Sequence, residues 1–181
     1  MSDFKEPRIR PLPADEWDDR IAQALVSMMP AERANPKESG NLLATLVRHP
    51  DLAAAYLPFN AYLIRNSRLS PRTREVAILR VAHRTQCRYL WSHHVPIALE
   101  VGLTVTEMIE IHVERCSDEK DELVVRAVDD LASFHTITQS TWSRLCRHFS
   151  DEELMDLVVT IGGYFALAMV AKSLQIEEDE T

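Results

Sequence analysis

The sequence predicts an all-α protein, on three observations. Only 4 of its 181 residues are glycine, little material for tight β-turns. Apolar residues recur at three- and four-residue spacing along most of the chain. No stretch alternates apolar and polar residues over the length of a strand.

The elements follow in order. After a proline-rich arm (Pro7, Pro11, Pro13), Trp17, Ile21, Leu25 and Met28 share one helical face, which Pro30 and Pro36 bring to a close. The Leu- and Ala-rich stretch from Asn41 to Ile64 predicts two short helices, cut at Pro50 and interrupted again at Pro58, whose ring removes a backbone hydrogen bond. Ser70 then Pro71 reads as an N-cap and a first helical position, opening a helix that runs to about Gln86. A second helix is expected from about Arg88 to Val101, with Pro96 as a kink and Gly102 as a left-handed stop. Thr104 with Glu107, and Ser150 with Glu153, have the capping-box spacing and announce one helix each. A further amphipathic stretch covers about 118–134.

The whole of 1–181 is expected to form a single domain, since the length suits one core better than two. A net charge of −8 with no basic stripe argues against a nucleic-acid partner. The N-terminus lacks an apolar core of signal-peptide length, and Cys87, Cys116 and Cys146 are odd in number and far apart, so a reducing cytoplasm is expected. The apolar run Leu157–Ala171 is read as too short for a membrane span and therefore as buried, inside the protein or between the subunits of a homo-oligomer.

The chemistry concentrates in "REVAILRVAHRTQCRYLWSHH", where groups that carry protons or attack as thiolates are interleaved with Val76, Ile78, Leu79, Val81 and Ala82. Cys87, Leu90 or Trp91, and His94 fall along one helical stripe, at separations of three, four and seven residues. Glu75 lies twelve residues before Cys87 on the preceding helix, so packing the two helices together brings its carboxylate beside either His94 or the Cys87 sulfur. A carboxylate so placed orients an imidazole for proton transfer. The plainer reading is that Cys87 packs as a small hydrophobe, that Glu75 favours a helix N-terminus, and that His94 is one more satisfied polar group. Cys116 and Cys146, with no histidine near them in sequence, are read as core or surface residues, and His83 and His93 lie off the stripe. His83, Cys87, His94 and Glu75 offer ligand types that zinc accepts, but no CxxC or HExxH accompanies them, so no metal is expected.

The same segment, over about residues 70–112, resembles the core of the carboxymuconolactone decarboxylase family, which includes alkylhydroperoxidase D. The resemblance implies an all-helical bundle built around a helical hairpin and a homotrimer or homohexamer. In the peroxidase branch a glutamate is followed twelve residues later by a CxxC, with a histidine four residues beyond the second cysteine. Glu75, Cys87 and His94 match three of those positions, and Leu90 stands where the second cysteine, the one that meets the peroxide, would be. With Tyr89, Trp91, His93 and His94 in a YxWxHH pattern, the segment is more similar to the decarboxylase-like branch.

What the resemblance implies is a cofactor-independent enzyme acting on a small organic acid or lactone, with His94 as acid and base, Glu75 orienting it and Cys87 lining the pocket. Tyr89, Trp91 and Arg80 are the substrate-binding candidates, Arg80 or Tyr89 holding a carboxylate. Two alternatives stand beside it: a thiol oxidoreductase using Cys87, and a helical oligomer that retains the fold without catalysis. No nucleic acid, membrane, cofactor or metal is expected in any of the three.

Overall fold

The computed structural model describes residues 6–179. Among them the secondary structure is helical, with no strand. The helices are α1 (Asp19–Leu25), α2 (Pro36–Leu46), α3 (Pro50–Arg65), α4 (Pro71–Thr85), α5 (Arg88–Glu100), α6 (Val105–Val113), α7 (Glu119–Phe134), α8 (Gln139–Leu145) and α9 (Asp151–Leu174). The chain divides into two compact units, residues up to 66 together with those from 170 onward, and residues 67–169.

In the first unit Ile21, Ala24 and Leu25 of α1 and Ala53 and Leu57 of α3 form a small core with Leu12 and Val47. Fully burying a leucine such as Leu25 or Leu57 is worth about 2 kcal/mol. α1 is shorter than its apolar spacing suggests: Asp18 caps it, and Trp17 stays outside with its indole N–H donating to the Leu12 carbonyl at 3.1 Å. Pro58 does not interrupt α3, contrary to the sequence expectation. It lies on the exposed side of the helix, as does Ala54, whose carbonyl loses its partner where water can replace it.

In the second unit α4 is the central element. From Glu75 to Ala82 every side chain is buried, so α4 is covered on all sides, with α5, α6 and α7 packed against it. Its ends are those expected: the Ser70 hydroxyl accepts from the Thr73 N–H, Pro71 occupies the first turn, and Gln86 closes the helix in the left-handed region at φ 52°. α5 returns antiparallel from Cys87 and stops before Gly102, at φ 90°. Thr104 and Glu107 form the capping box of α6 reciprocally, and the Ser150 and Glu153 pair repeats it at the start of α9. α8, capped by Thr138, has no counterpart in the sequence reading; its seven residues are too few for a periodic signal.

α9 is longer than the apolar run that marks it. At 24 residues it is, by length and composition, long and apolar enough to cross a membrane, because the helix extends beyond the Leu157–Ala171 run at both ends. Half of its most apolar window is buried in the protein.

Candidate functional site

The two helices of the α4–α5 hairpin bring Glu75 and His94 together. Glu75 stands in the second turn of α4 and is 1% exposed; His94 lies mid-α5 and is 6% exposed. The Glu75 Oε2 to His94 Nδ1 distance is 2.7 Å. An ionised carboxylate can only accept, so Nδ1 carries the proton and the ring's lone pair is on Nε2. Such a ring is set to take or deliver a proton at Nε2, with its tautomer and plane fixed from behind.

Two residues complete this group that the sequence reading did not single out. Arg74 donates from Nε to Glu75 Oε1 at 3.3 Å, so both carboxylate oxygens are engaged and the buried charge is balanced. Tyr164 of α9, 1% exposed, meets the His94 ring edge to face, with centroids 5.3 Å apart and planes at 81°. Arg74 was legible in principle, as the cation next to a glutamate in an apolar segment. Tyr164 was not, because it lies seventy residues beyond His94 and only packing unites them. One turn before Tyr164, the Thr160 hydroxyl is buried with no hydrogen-bond partner.

Cys87 is buried at 2% exposure and in no disulfide, at the N-cap of α5, at the turn end of the hairpin where its N–H donates to the Ala82 carbonyl at 2.9 Å. It stands seven residues before His94, about 10 Å along the helix. Of the two partners proposed for Glu75 from spacing, the carboxylate bonds to the imidazole. The position one turn before His94 is Leu90, 1% exposed.

Arg80 is a correction. Its side chain is fully buried, and its donors are taken by protein acceptors: Asp129 bidentately at 2.8 Å, the carbonyls of Ile111 and His112 at 2.9 Å, and Glu114. It ties the C-terminal carbonyls of α6 and the acidic face of α7 to α4, and leaves no fork for a substrate carboxylate. Tyr89 is buried, stacked on His93 with centroids 6.0 Å apart and planes 8° from parallel. Trp91 is turned to another cluster, its ring 6.1 Å from that of His112, which in turn meets His83 at 3.9 Å. Burial, then the neighbouring His112 and the Arg80 and Arg84 guanidinium groups, push the His83 imidazole below its ordinary pKa. No group of three or more His, Cys, Asp or Glu side chains among the described residues is arranged to hold a metal ion.

A separate cleft of about 370 Å³ opens between α7 and α8, lined by Glu122, Arg126, Asp129, Asp130 and Thr138 among others. Its carboxylates already have partners: Glu122 bonds Arg126, Asp129 holds Arg80, and Asp130 accepts from Thr138.

Residues 50–129, which contain the whole hairpin, match the model of the carboxymuconolactone decarboxylase family. Over that central segment the chain is similar to the family. Solved structures agree with this in fold. An uncharacterized peroxidase-related protein from Silicibacter sp. TM1040 superimposes with a TM-score of 0.75 at 16% identity, over 98% of this chain and 94% of its own. The debrominase Bmp8 gives 0.71 at 14% identity, over 94% and 91%. A protein of unknown function from Agrobacterium tumefaciens, a candidate AhpD of antioxidant defence, gives 0.68 at 22% identity, over 74% and 94%. At these identities the likeness is one of fold, an alkylhydroperoxidase D-like helical bundle. No curated protein matches the sequence. In the segment that matches, the chain carries the glutamate and histidine on its hairpin and has Leu90 where a second thiol would make a CxxC.

Proposed function

We propose that the protein is a cofactor-independent acid–base enzyme of the carboxymuconolactone decarboxylase type, acting on a small organic acid or lactone. The observation that carries this is the buried Glu75–His94 hydrogen bond at 2.7 Å, in a setting where the adjacent helical turn offers Leu90 and no thiol. Decarboxylation breaks the bond between carbon and carboxylate, releases CO2 and leaves an electron pair that a conjugated lactone carbonyl accommodates. His94 takes a proton from solvent at Nε2 and delivers it to that carbon, returning to the neutral ring, while Glu75 holds Nδ1 and balances the transient imidazolium. Arg74 holds the Glu75 carboxyl in position, and the Tyr164 ring packs against the imidazole. Tyr89 remains the substrate-binding candidate beside the site; Cys87 lines the hairpin end.

The test is CO2 release from a panel of carboxylated lactones and small unsaturated acids, with chelator present. Activity on one of them that is lost in His94→Gln supports the reading. Hydroperoxide reduction that depends on Cys87 replaces it with a thiol mechanism, the reading suggested by the peroxidase-related neighbours.

A further inference from the structure

His93 is the histidine of the YxWxHH segment that the reaction at His94 leaves unused. Consecutive positions on a helix point about 100° apart. α5 uses that angle: His94 is turned inward at 6% exposure, while His93 is exposed. Their rings still meet, edge to face, with centroids 5.4 Å apart and planes at 69°. Ring nitrogens on two imidazoles at this separation are within reach of a hydrogen bond or of a single bridging water.

The orientation of His93 is held by Tyr89, one turn earlier. The two rings are 8° from parallel with centroids 6.0 Å apart, so a buried phenol ring backs an exposed imidazole. A freely solvated side chain keeps its rotamer freedom; this one gives some of it up to face one way.

The proton traffic of His94 accounts for the arrangement. Glu75 occupies Nδ1, so every proton that His94 takes up or delivers passes through Nε2. Glu75, Tyr164 and His93 meet the His94 ring; Glu75 and Tyr164 are each 1% exposed, and of the three His93 is the one in contact with water. Imidazole is also the side chain that both binds and releases protons near neutral pH. The Arg74 guanidinium, bonded to Glu75, stays charged and passes no proton on.

We propose that His93 is the proton port of the site, carrying protons between bulk water and Nε2 of the buried His94. The proposal rests on the acid–base reading of His94. In each turnover His93 takes a proton from water or a buffer acid, passes it to Nε2 and returns to the neutral ring; His94 then gives that proton to the carbon that has lost CO2. One carboxylate and one proton are consumed, one CO2 and one C–H bond are formed, and both imidazoles end in their starting state. His93 acts on the reaction only through His94.

Two variants of the full chain test this. His93→Ala removes the imidazole, and His93→Phe keeps a flat ring beside Tyr89 without an ionisable nitrogen. The first readout needs no substrate: in 15N-histidine-labelled protein, the rate at which His94 Nε2 exchanges its proton with water is expected to fall by about tenfold or more in both variants, and to recover when free imidazole is added to His93→Ala. The second is CO2 release from the lactone or acid that wild type converts, where kcat is expected to fall by roughly tenfold or more with KM little changed, and imidazole to restore it in His93→Ala. An Nε2 exchange rate that both variants leave at the wild-type value overturns the proposal. A loss that imidazole does not restore also overturns it, and makes His93 a packing residue. Slowed exchange that imidazole restores, in a protein that releases no CO2 from any acid tried, keeps the port and removes the decarboxylase reading alone.

Discussion

Leu90 and His94 lie one turn apart on the same face of α5, both buried, so the neighbour of the imidazole along its helix is an aliphatic side chain. Glu75 and the imidazole are in place; no thiol stands at position 90.

Restoring a thiol at that position separates acid–base from thiol chemistry. Wild type is expected to show negligible turnover of an alkyl hydroperoxide with a dithiol reductant. Leu90→Cys places a thiol three residues after Cys87, within the reach of a disulfide on one helix, and is expected to form that bond and gain measurable turnover. The loss of buried volume at Leu90 is expected to cost roughly 2 kcal/mol, read as a lowered melting temperature.

Glu75 is expected to act through His94, and Glu75→Gln tests that role. The amide can offer its N–H₂ to Nδ1 and reverse the tautomer, leaving Nε2 with the wrong proton, while Arg74 loses its counter-charge. The rate of CO2 release is expected to fall by on the order of 10²–10⁴, through kcat more than KM. An unchanged kcat would remove Glu75 from the mechanism.

Acid stability is expected to depend on Glu107. The Arg72 guanidinium, with the Thr104 backbone and hydroxyl, holds its carboxyl down to about 2. In the unfolded chain the value is about 4.3, so between the two the unfolded state binds more protons. The contribution of Glu107 is therefore complete above about pH 4.5 and lost as pH falls toward 2. Asp121, the other partner of Arg72, moves oppositely because burial raises its carboxyl. Comparing the melting of wild type with that of Glu107→Gln isolates Glu107: the variant is expected to be less stable at pH 7, with the gap closing as pH approaches 2.

Thr160 has a buried hydroxyl without a partner. Thr160→Val keeps the shape and removes the unsatisfied group, and is expected to stabilise by about 1 kcal/mol, read by denaturant midpoint. A variant that is no more stable but loses activity would instead place the hydroxyl in the site beside Tyr164.

The sequence made the hairpin legible because its signals are local: the Ser70–Pro71 start, the Gly102 stop and the Thr104–Glu107 box are each read within four residues. Glu75 and His94 were legible as a pair because two helices joined by a short turn must pack antiparallel. Arg80 was misassigned for a reason visible only in three dimensions. Its partners come from α6 and α7, thirty to fifty residues away, and a buried guanidinium satisfied by them looks in sequence like one available to a ligand. Tyr164 escaped for the same reason, and Pro58 because exposure decides whether a proline breaks a helix.

The central claim is that His94, held by Glu75, transfers a proton to carbon. Its most direct test is to treat carboxymuconolactone with the purified protein in D2O and analyse the product. The account predicts CO2 release with one solvent deuteron incorporated at carbon per turnover, and loss of both in His94→Gln. No CO2 release from wild type, together with brisk hydroperoxide turnover that disappears in Cys87→Ser, would contradict it.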